Sequence, residues 1–128
     1  MFCDVWVWAG EYRTTERNIG VVPYQIPIKL MQLFDDLKFW IDNVTYLNHE
    51  IAVRLHNKLV QIHPFPNDNG RVSRLMADLI FQKLEGKSLF WGDTNLVNVS
   101  EVRSRYIDAL RKADTGDYTD LLSFTMEQ

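Results

Sequence analysis

The stretch His63-Pro64-Phe65-Pro66-Asn67-Asp68-Asn69-Gly70-Arg71-Val72-Ser73-Arg74 decides how the rest of the chain is read. A histidine closes one amphipathic helical pattern, a proline-rich turn leads into Asn67-Asp68-Asn69-Gly70, and a second helix opens with Arg71 and Arg74 on its first turns. Such a junction suits an anion. The first N–H groups of a helix have no partner within it, and the positive end of its dipole points the same way. Arg71 and Arg74 share a face and carry forked donors matched to phosphate oxygens. At the other end of the loop stands His63, whose proton comes and goes near neutral pH.

On both sides of the loop, apolar residues recur with helical period. A helix is expected from Leu47 to Ile62, with Ile51, Leu55, Leu59 and Ile62 inward. Another is expected from Arg71 to Leu84, burying Val72, Leu75, Met76, Leu79 and Ile80, with Gly86 as its stop. Upstream, Ile28 to Val44 sets Leu30, Leu33, Phe34, Leu37, Ile41 and Val44 on one stripe, with Pro27 in the first turn. Downstream, Ser88 to Asn98 reads as loop. Ser100 then caps a helix carrying Val102, Tyr106, Ala109 and Leu110, Thr115 to Asp117 breaks it, and Asp120 to Met126 closes the chain.

Arg13 to Pro27 lacks that period. Asn18-Ile19-Gly20, two prolines and short apolar runs predict a hairpin or extended loop there. Phe2 to Ala9 is aromatic and β-branched enough to permit a strand, though Trp6 and Trp8 suit core packing in either conformation. The expected architecture is all-α, one small domain over residues 1–128 with a single irregular flap.

Composition narrows the function classes. At 46% hydrophobic and 24% charged the chain is an ordinary globular one rather than a disordered one. A net charge of −3 argues against a basic nucleic-acid surface. No apolar run has the length of a membrane span and no leader pattern opens the chain, so neither nucleic acid nor membrane is an expected partner. Cys3 alone forms neither an internal disulfide nor a zinc cluster, which fits a reducing cytoplasm. His49, His56 and His63 lie on one stripe, but seven residues of helix span about 10 Å, so no single ion reaches two of them. His49 and His56 therefore read as surface or core-edge residues.

The loop resembles the signature of the Fic/Doc family, H-x-F-x-[DE]-G-N-G-R-x-x-R. Six of its eight fixed positions are present at the right spacing: His63, Phe65, Asn69, Gly70, Arg71 and Arg74. A match of that kind arises by chance on the order of 10⁻⁷ times per starting position. Asp4 to Gly10 with Glu11-Tyr12-Arg13 also resembles a helix-ending element of the family, ending at Gly10 and implying helical material before Met1. The flap and the downstream loop are most similar to bacterial mobile-element Fic proteins, the "mobile mystery protein B" type.

The resemblance implies a Fic-type helical bundle with a short β-hairpin flap, and protein adenylyltransferase activity: AMP passes from ATP to a Ser, Thr or Tyr hydroxyl of a target protein. His63 is then the general base. Arg71 contacts the polyphosphate and Arg74 its terminal phosphate. Asp68, Asn69 and Gly70 line the nucleotide, and Phe65 anchors the loop. The flap residues Asn18, Ile19, Gly20 and Val21 dock the target backbone by strand addition.

Two positions depart from the pattern, and both fall on the metal. Asn67 stands where the family has the acid that holds Mg²⁺, and Asp68 where it has glycine. Either Asp68 supplies the missing carboxylate and activity is kept, or its charge repels the phosphates and leaves an impaired module that binds nucleotide or protein. Transfer of a different phosphate-containing group is also open. The family's inhibitory [ST]-x-x-x-E-[GN] helix is missing here, since Phe81 precedes Glu85-Gly86. The resemblance thus leaves room for such a segment upstream of Met1 or for an antitoxin-like inhibitory partner.

Overall fold

The computed structural model describes residues 20–65, 69–91 and 99–126. Among them a 3-10 turn over Pro23–Gln25 is followed by helices α1 (Ile26–Asp42), α2 (Asn48–Ile62), α3 (Asn69–Glu85), α4 (Val99–Asp114) and α5 (Thr119–Met126). The described residues are all-α. The expectations for Phe2 to Ala9, and the part of the flap up to Asn18 and Ile19, lie outside them.

One correction falls at the flap's end. The extended segment was expected to run to Pro27, yet the chain is helical from Pro23. Pro23 and Pro27 both occupy first-turn positions, where a missing N–H leaves no bond unmade and the fixed φ already suits a helix. A pair of prolines reads the same from sequence whether it interrupts a helix or starts one.

In α1 Leu30, Leu33 and Leu37 are buried, while Phe34 and Ile41 are partly so. Val44, expected on the same stripe, is instead 77% exposed, because it lies beyond the helix end. Thr45 N–H donates to the Trp40 carbonyl at 3.1 Å and Val44 N–H to that of Ile41 at 3.4 Å. This paired closure holds the residue between in the left-handed region, and Val44 has φ 49°.

Helix α2 is the centre and touches every other helix. Its Ile51, Leu55, Leu59 and Ile62 pack with the α1 leucines, Phe65, and Val72, Met76 and Ile80 of α3. On another side Val53 meets Ala109, Ala113, Tyr118 and Leu121, and on a third Ala52 meets Ala77, Phe81 and Leu89. Burying a large aliphatic side chain contributes about 1.5–3 kcal/mol, so this helix supplies much of the fold's stability. Its enclosure corrects the expectation for His56, which is 0% exposed rather than at a surface or core edge. Tyr106, far away in sequence, gives that ring a polar partner. His49 does lie at the edge, half-buried, with Nε2 2.7 Å from Thr125 Oγ1.

In α3, which starts two residues earlier than expected, Leu75 is turned outward at 37% exposure rather than buried. Gly86 closes the helix at φ 69°, its N–H on the Gln82 carbonyl at 2.8 Å. Helix α4 begins at Val99, so Ser100 lies within its first turn instead of capping it. Thr115–Asp117 makes the expected break, and Asp117 accepts the Thr119 N–H at 3.1 Å to start α5. No helix among the described residues is long and apolar enough to cross a membrane.

Candidate active site

Helices α2 and α3 meet at the loop quoted first. His63 ends α2 in a left-handed conformation (φ 52°, ψ 60°), its N–H still bonded to the Leu59 carbonyl at 3.0 Å. Glycine is the usual occupant of such a position, and a bulkier residue there carries strain. The histidine is half-buried, so its ring stands at the rim rather than in the core. Immediately after it, Pro64 is buried and Phe65 is 1% exposed within the main core.

The far side of the loop is clamped to the near side. Asn69 Oδ1 accepts the Phe65 N–H at 2.8 Å, and Asn69 Nδ2 donates to the Phe65 carbonyl at 2.6 Å. The residues flanking 66–68 are therefore held to each other, and residues 66–68, Asn67 and Asp68 among them, lie outside the described ones. The asparagine side chain is committed to this clamp, which leaves only its main chain for a ligand.

Arg71 is exposed and Arg74 half-buried on the opening turns of α3. Arg74 folds back along the helix. A Cβ added to Gly70 would lie 3.2 Å from its Nη1, so the glycine makes room for that guanidinium. Among the described residues, no carboxylate pairs with either arginine. Two cations at a helix N-terminus, with no carboxylate partner among the described residues, add positive charge to the rim.

On the flap side, Gly20 (φ 94°) is exposed and Val21 packs partly into the core. Val21 N–H reaches the Ile62 carbonyl at 3.3 Å, which ties this segment to the residue before His63. The structure thus brings Gly20, Val21, His63, Phe65, Asn69, Gly70, Arg71 and Arg74 to one junction.

Behind Arg74 lies a group of residues that the sequence reading did not single out for the site. His56 Nε2 is 2.6 Å from the Tyr106 hydroxyl, and the rings of Trp91 and Tyr106 lie 4.6 and 5.8 Å from the imidazole. Trp91 is held in turn by Asp78, whose carboxylate oxygens each accept its Nε1–H at 3.1 Å; one also takes the Leu89 N–H at 3.2 Å. Desolvation lowers the His56 pKa to about 3; the Ser73 main chain opposes the fall and the Arg74 charge adds to it. Burial raises the Tyr106 pKa, against the charge of Arg74 and a hydrogen bond from it. One sequence signal pointed here: His56 lies two helical turns before His63 and so shares its face.

The one glutamate in the brake-like setting is far from the arginines. Glu85 follows Arg74 by eleven residues on α3, roughly 16 Å along the axis, and accepts a bond from Asn48 Nδ2 at 2.8 Å.

Residues 2–81 match the profile of the Fic/DOC family. The chain is 32% identical over 114 residues to protein adenylyltransferase fic-1 of Caenorhabditis elegans, covering 87% of this chain and 21% of that protein. It is 30% identical over 121 residues to protein adenylyltransferase Fic of Culex quinquefasciatus, covering 92% and 23%. The chain therefore spans about a fifth of the length of these curated relatives. Among solved structures it is similar to Fic-1 from C. elegans, with a TM-score of 0.68 and 28% identity over 91% of this chain and 33% of that one. A Fic domain containing signaling protein from Bacteroides thetaiotaomicron shares the fold, with a TM-score of 0.66 and 23% identity over 90% and 48%.

Proposed function

The chain belongs to the Fic/DOC family, and on that premise we propose that it is a protein adenylyltransferase, moving AMP from ATP to a Ser, Thr or Tyr hydroxyl of a target protein. The observation that carries this reading is the pairing across one loop. His63 ends α2, while Arg71 and Arg74 open α3 with the Arg74 guanidinium over Gly70.

The chemistry follows from that pairing. The His63 imidazole accepts the target's hydroxyl proton as the oxygen bonds to the α-phosphorus. The bond from that phosphorus to its bridging oxygen breaks, and pyrophosphate leaves with its charge met by Arg71 and Arg74. Main-chain N–H groups of Asn69 and Gly70 face the charge growing on the α-phosphate oxygens. Asn18 to Val21 would dock the target backbone, and the Val21–Ile62 bond ties the described end of that segment to the residue before the base.

In sequence Asp68 and Asn67 are adjacent hard-oxygen donors just before α3, and these are the residues that would hold Mg²⁺. When bound, that ion would offset phosphate charge. An enzyme of this type would act in the cytoplasm, where Cys3 stays reduced. Its brake would lie in a segment upstream of residue 1 or on a separate antitoxin-like protein; Glu85 sits too far from Arg74 to serve.

The test is transfer of label from α-labelled ATP, with Mg²⁺, to a protein in a lysate. The parent chain labels a substrate and His63→Ala does not; equal labelling by both overturns the assignment of the base. A second reading, an impaired nucleotide-binding module, is favoured by one observation, the replacement of the family's acid and glycine by Asn67 and Asp68. Asn67→Asp combined with Asp68→Gly separates the two. A large gain in labelling marks the natural loop as impaired, and no gain means that Asp68 compensates.

A further inference from the structure

We infer that the apolar groove between the second halves of α1 and α3 is the docking site of this chain's own aromatic stretch, residues 2–8. The inference goes beyond the adenylyl-transfer reading and does not depend on it.

The groove follows from how three helices are joined. Short connections lead from α1 to α2 and from α2 to α3, so α1 and α3 run the same way against α2. Both begin at the His63 end of α2. Toward their other ends, Phe34, Leu37 and Ile41 of α1 and Ile80 and Leu84 of α3 line a groove of about 420 Å³. Leu37 and Ile80 are buried, but Phe34, Ile41 and Leu84 are only partly so. Lys38, Asp42 and Lys83, all exposed, stand on its rim. An apolar trough edged with charge is the form of a surface that receives another segment.

Three observations name the occupant. The first is composition: residues 2–8 hold six apolar side chains, Phe2, Trp6 and Trp8 among them, and a single charge, Asp4. Aromatic side chains of that size gain most from leaving water. The second is reach. The Val21–Ile62 bond fixes the start of the described chain at the His63 end of α2. From Ile26, the groove residues of α1 lie roughly 12 to 24 Å along the helix. The chain from Trp8 to Gly20 spans up to about 40 Å when extended, so it covers that distance. The third is charge. The rim carries two lysines and one aspartate, which suits Asp4, whereas a second copy of the same face would set lysines against lysines. A segment seated there would anchor the upstream end of the stretch that Val21 holds at its other end.

Cys3 is the only cysteine in the chain, so one added thiol reports where residues 2–8 lie. Lys38→Cys and Lys83→Cys place that thiol on the rim, and Arg111→Cys on α4 serves as reference. All three replace exposed side chains. In a glutathione redox buffer, at least one rim variant is expected to form an intramolecular disulfide with Cys3 about tenfold more completely than Arg111→Cys. Adding Leu84→Glu puts a charge on the groove wall and should cut that yield about tenfold, with a cooperative urea transition showing the fold retained. Should Leu84→Glu lose that transition, the comparison of rim with reference still decides. Equal yields from rim and reference variants overturn the proposal, since a segment that moves freely reaches all three. A yield indifferent to a folded Leu84→Glu overturns it as well. Disulfide-linked dimers through the rim thiols overturn it in favour of a second copy. Rim thiols that stay unpaired, and react with maleimide as fast as the reference thiol, overturn it and leave the groove to a different protein.

Discussion

The side-chain amide of Asn69 grips both main-chain groups of Phe65, accepting its N–H at 2.8 Å and donating to its carbonyl at 2.6 Å. Both residues are buried, so neither bond has water as a ready substitute. Removing the amide takes both bonds away.

Asn69→Ala is therefore expected to destabilise the fold by about 2–4 kcal/mol, the sum of two unmade buried bonds. Asn69→Asp keeps one bond and sets a carboxylate oxygen against the Phe65 carbonyl, so it should fall between parent and alanine in a urea titration. Both should lose label transfer more than stability, because the loop between the clamped ends is the proposed catalytic one. A fully active Asn69→Ala would contradict the clamp.

His63 occupies a conformation that costs a side chain about 1–2 kcal/mol and glycine almost nothing. His63→Gly should consequently be more stable than His63→Ala by about 1 kcal/mol, since alanine keeps the strain. Both should be inactive. Thermal melts of the two variants make the comparison, and equal midpoints would mean that the end of α2 relaxes out of the left-handed region.

Val44 holds the same kind of conformation (φ 49°) with no catalytic reason for it. Its side chain is exposed, so little burial is lost on removing it. Val44→Gly is predicted to stabilise the chain by about 1 kcal/mol, read as a shift in the urea midpoint at unchanged slope, with label transfer unaltered.

Acid should act through His56. The residue titrates near the ordinary histidine value of 6.5 when unfolded, but stays neutral to about 3 when folded. Between those values the unfolded state binds the extra proton. Stability is thus complete above the upper value and declines as pH falls toward the lower one, by up to about 1.4 kcal/mol per pH unit. Between about pH 7 and about pH 5, before most carboxylates titrate, the parent should lose stability more steeply than His56→Gln. Parallel curves would remove His56 as the cause. His49, also lowered by burial, contributes with the same sign in both proteins and cancels in the comparison.

Much of this arrangement was legible from local pattern. Ile51, Leu55, Leu59 and Ile62 fall inward as their spacing requires, and a helix follows the loop, opening at Asn69, two residues before the expected Arg71. Two misreadings came from extending that pattern too far. Periodicity alone does not mark the last turn of a helix, so Val44 was placed on a stripe that had already ended. Nor does it fix the width of the buried face, so Leu75 was placed inside. His56 was misjudged for a different reason. A polar residue on an apolar stripe is buried only if something distant satisfies it, and Tyr106 stands on a helix whose docking no local window shows. The Asn69 clamp was missed likewise, because an asparagine at a helix start reads as a turn former.

The space above Gly70 bears on inheritance. One methyl group added there would meet the movable tip of Arg74 rather than the backbone. Such a change would spare folding and register only as a misplaced charge, invisible to any screen for abundance. Natural selection at codon 70 would then judge the work of residue 74, and a lineage that altered one would have to revise the other.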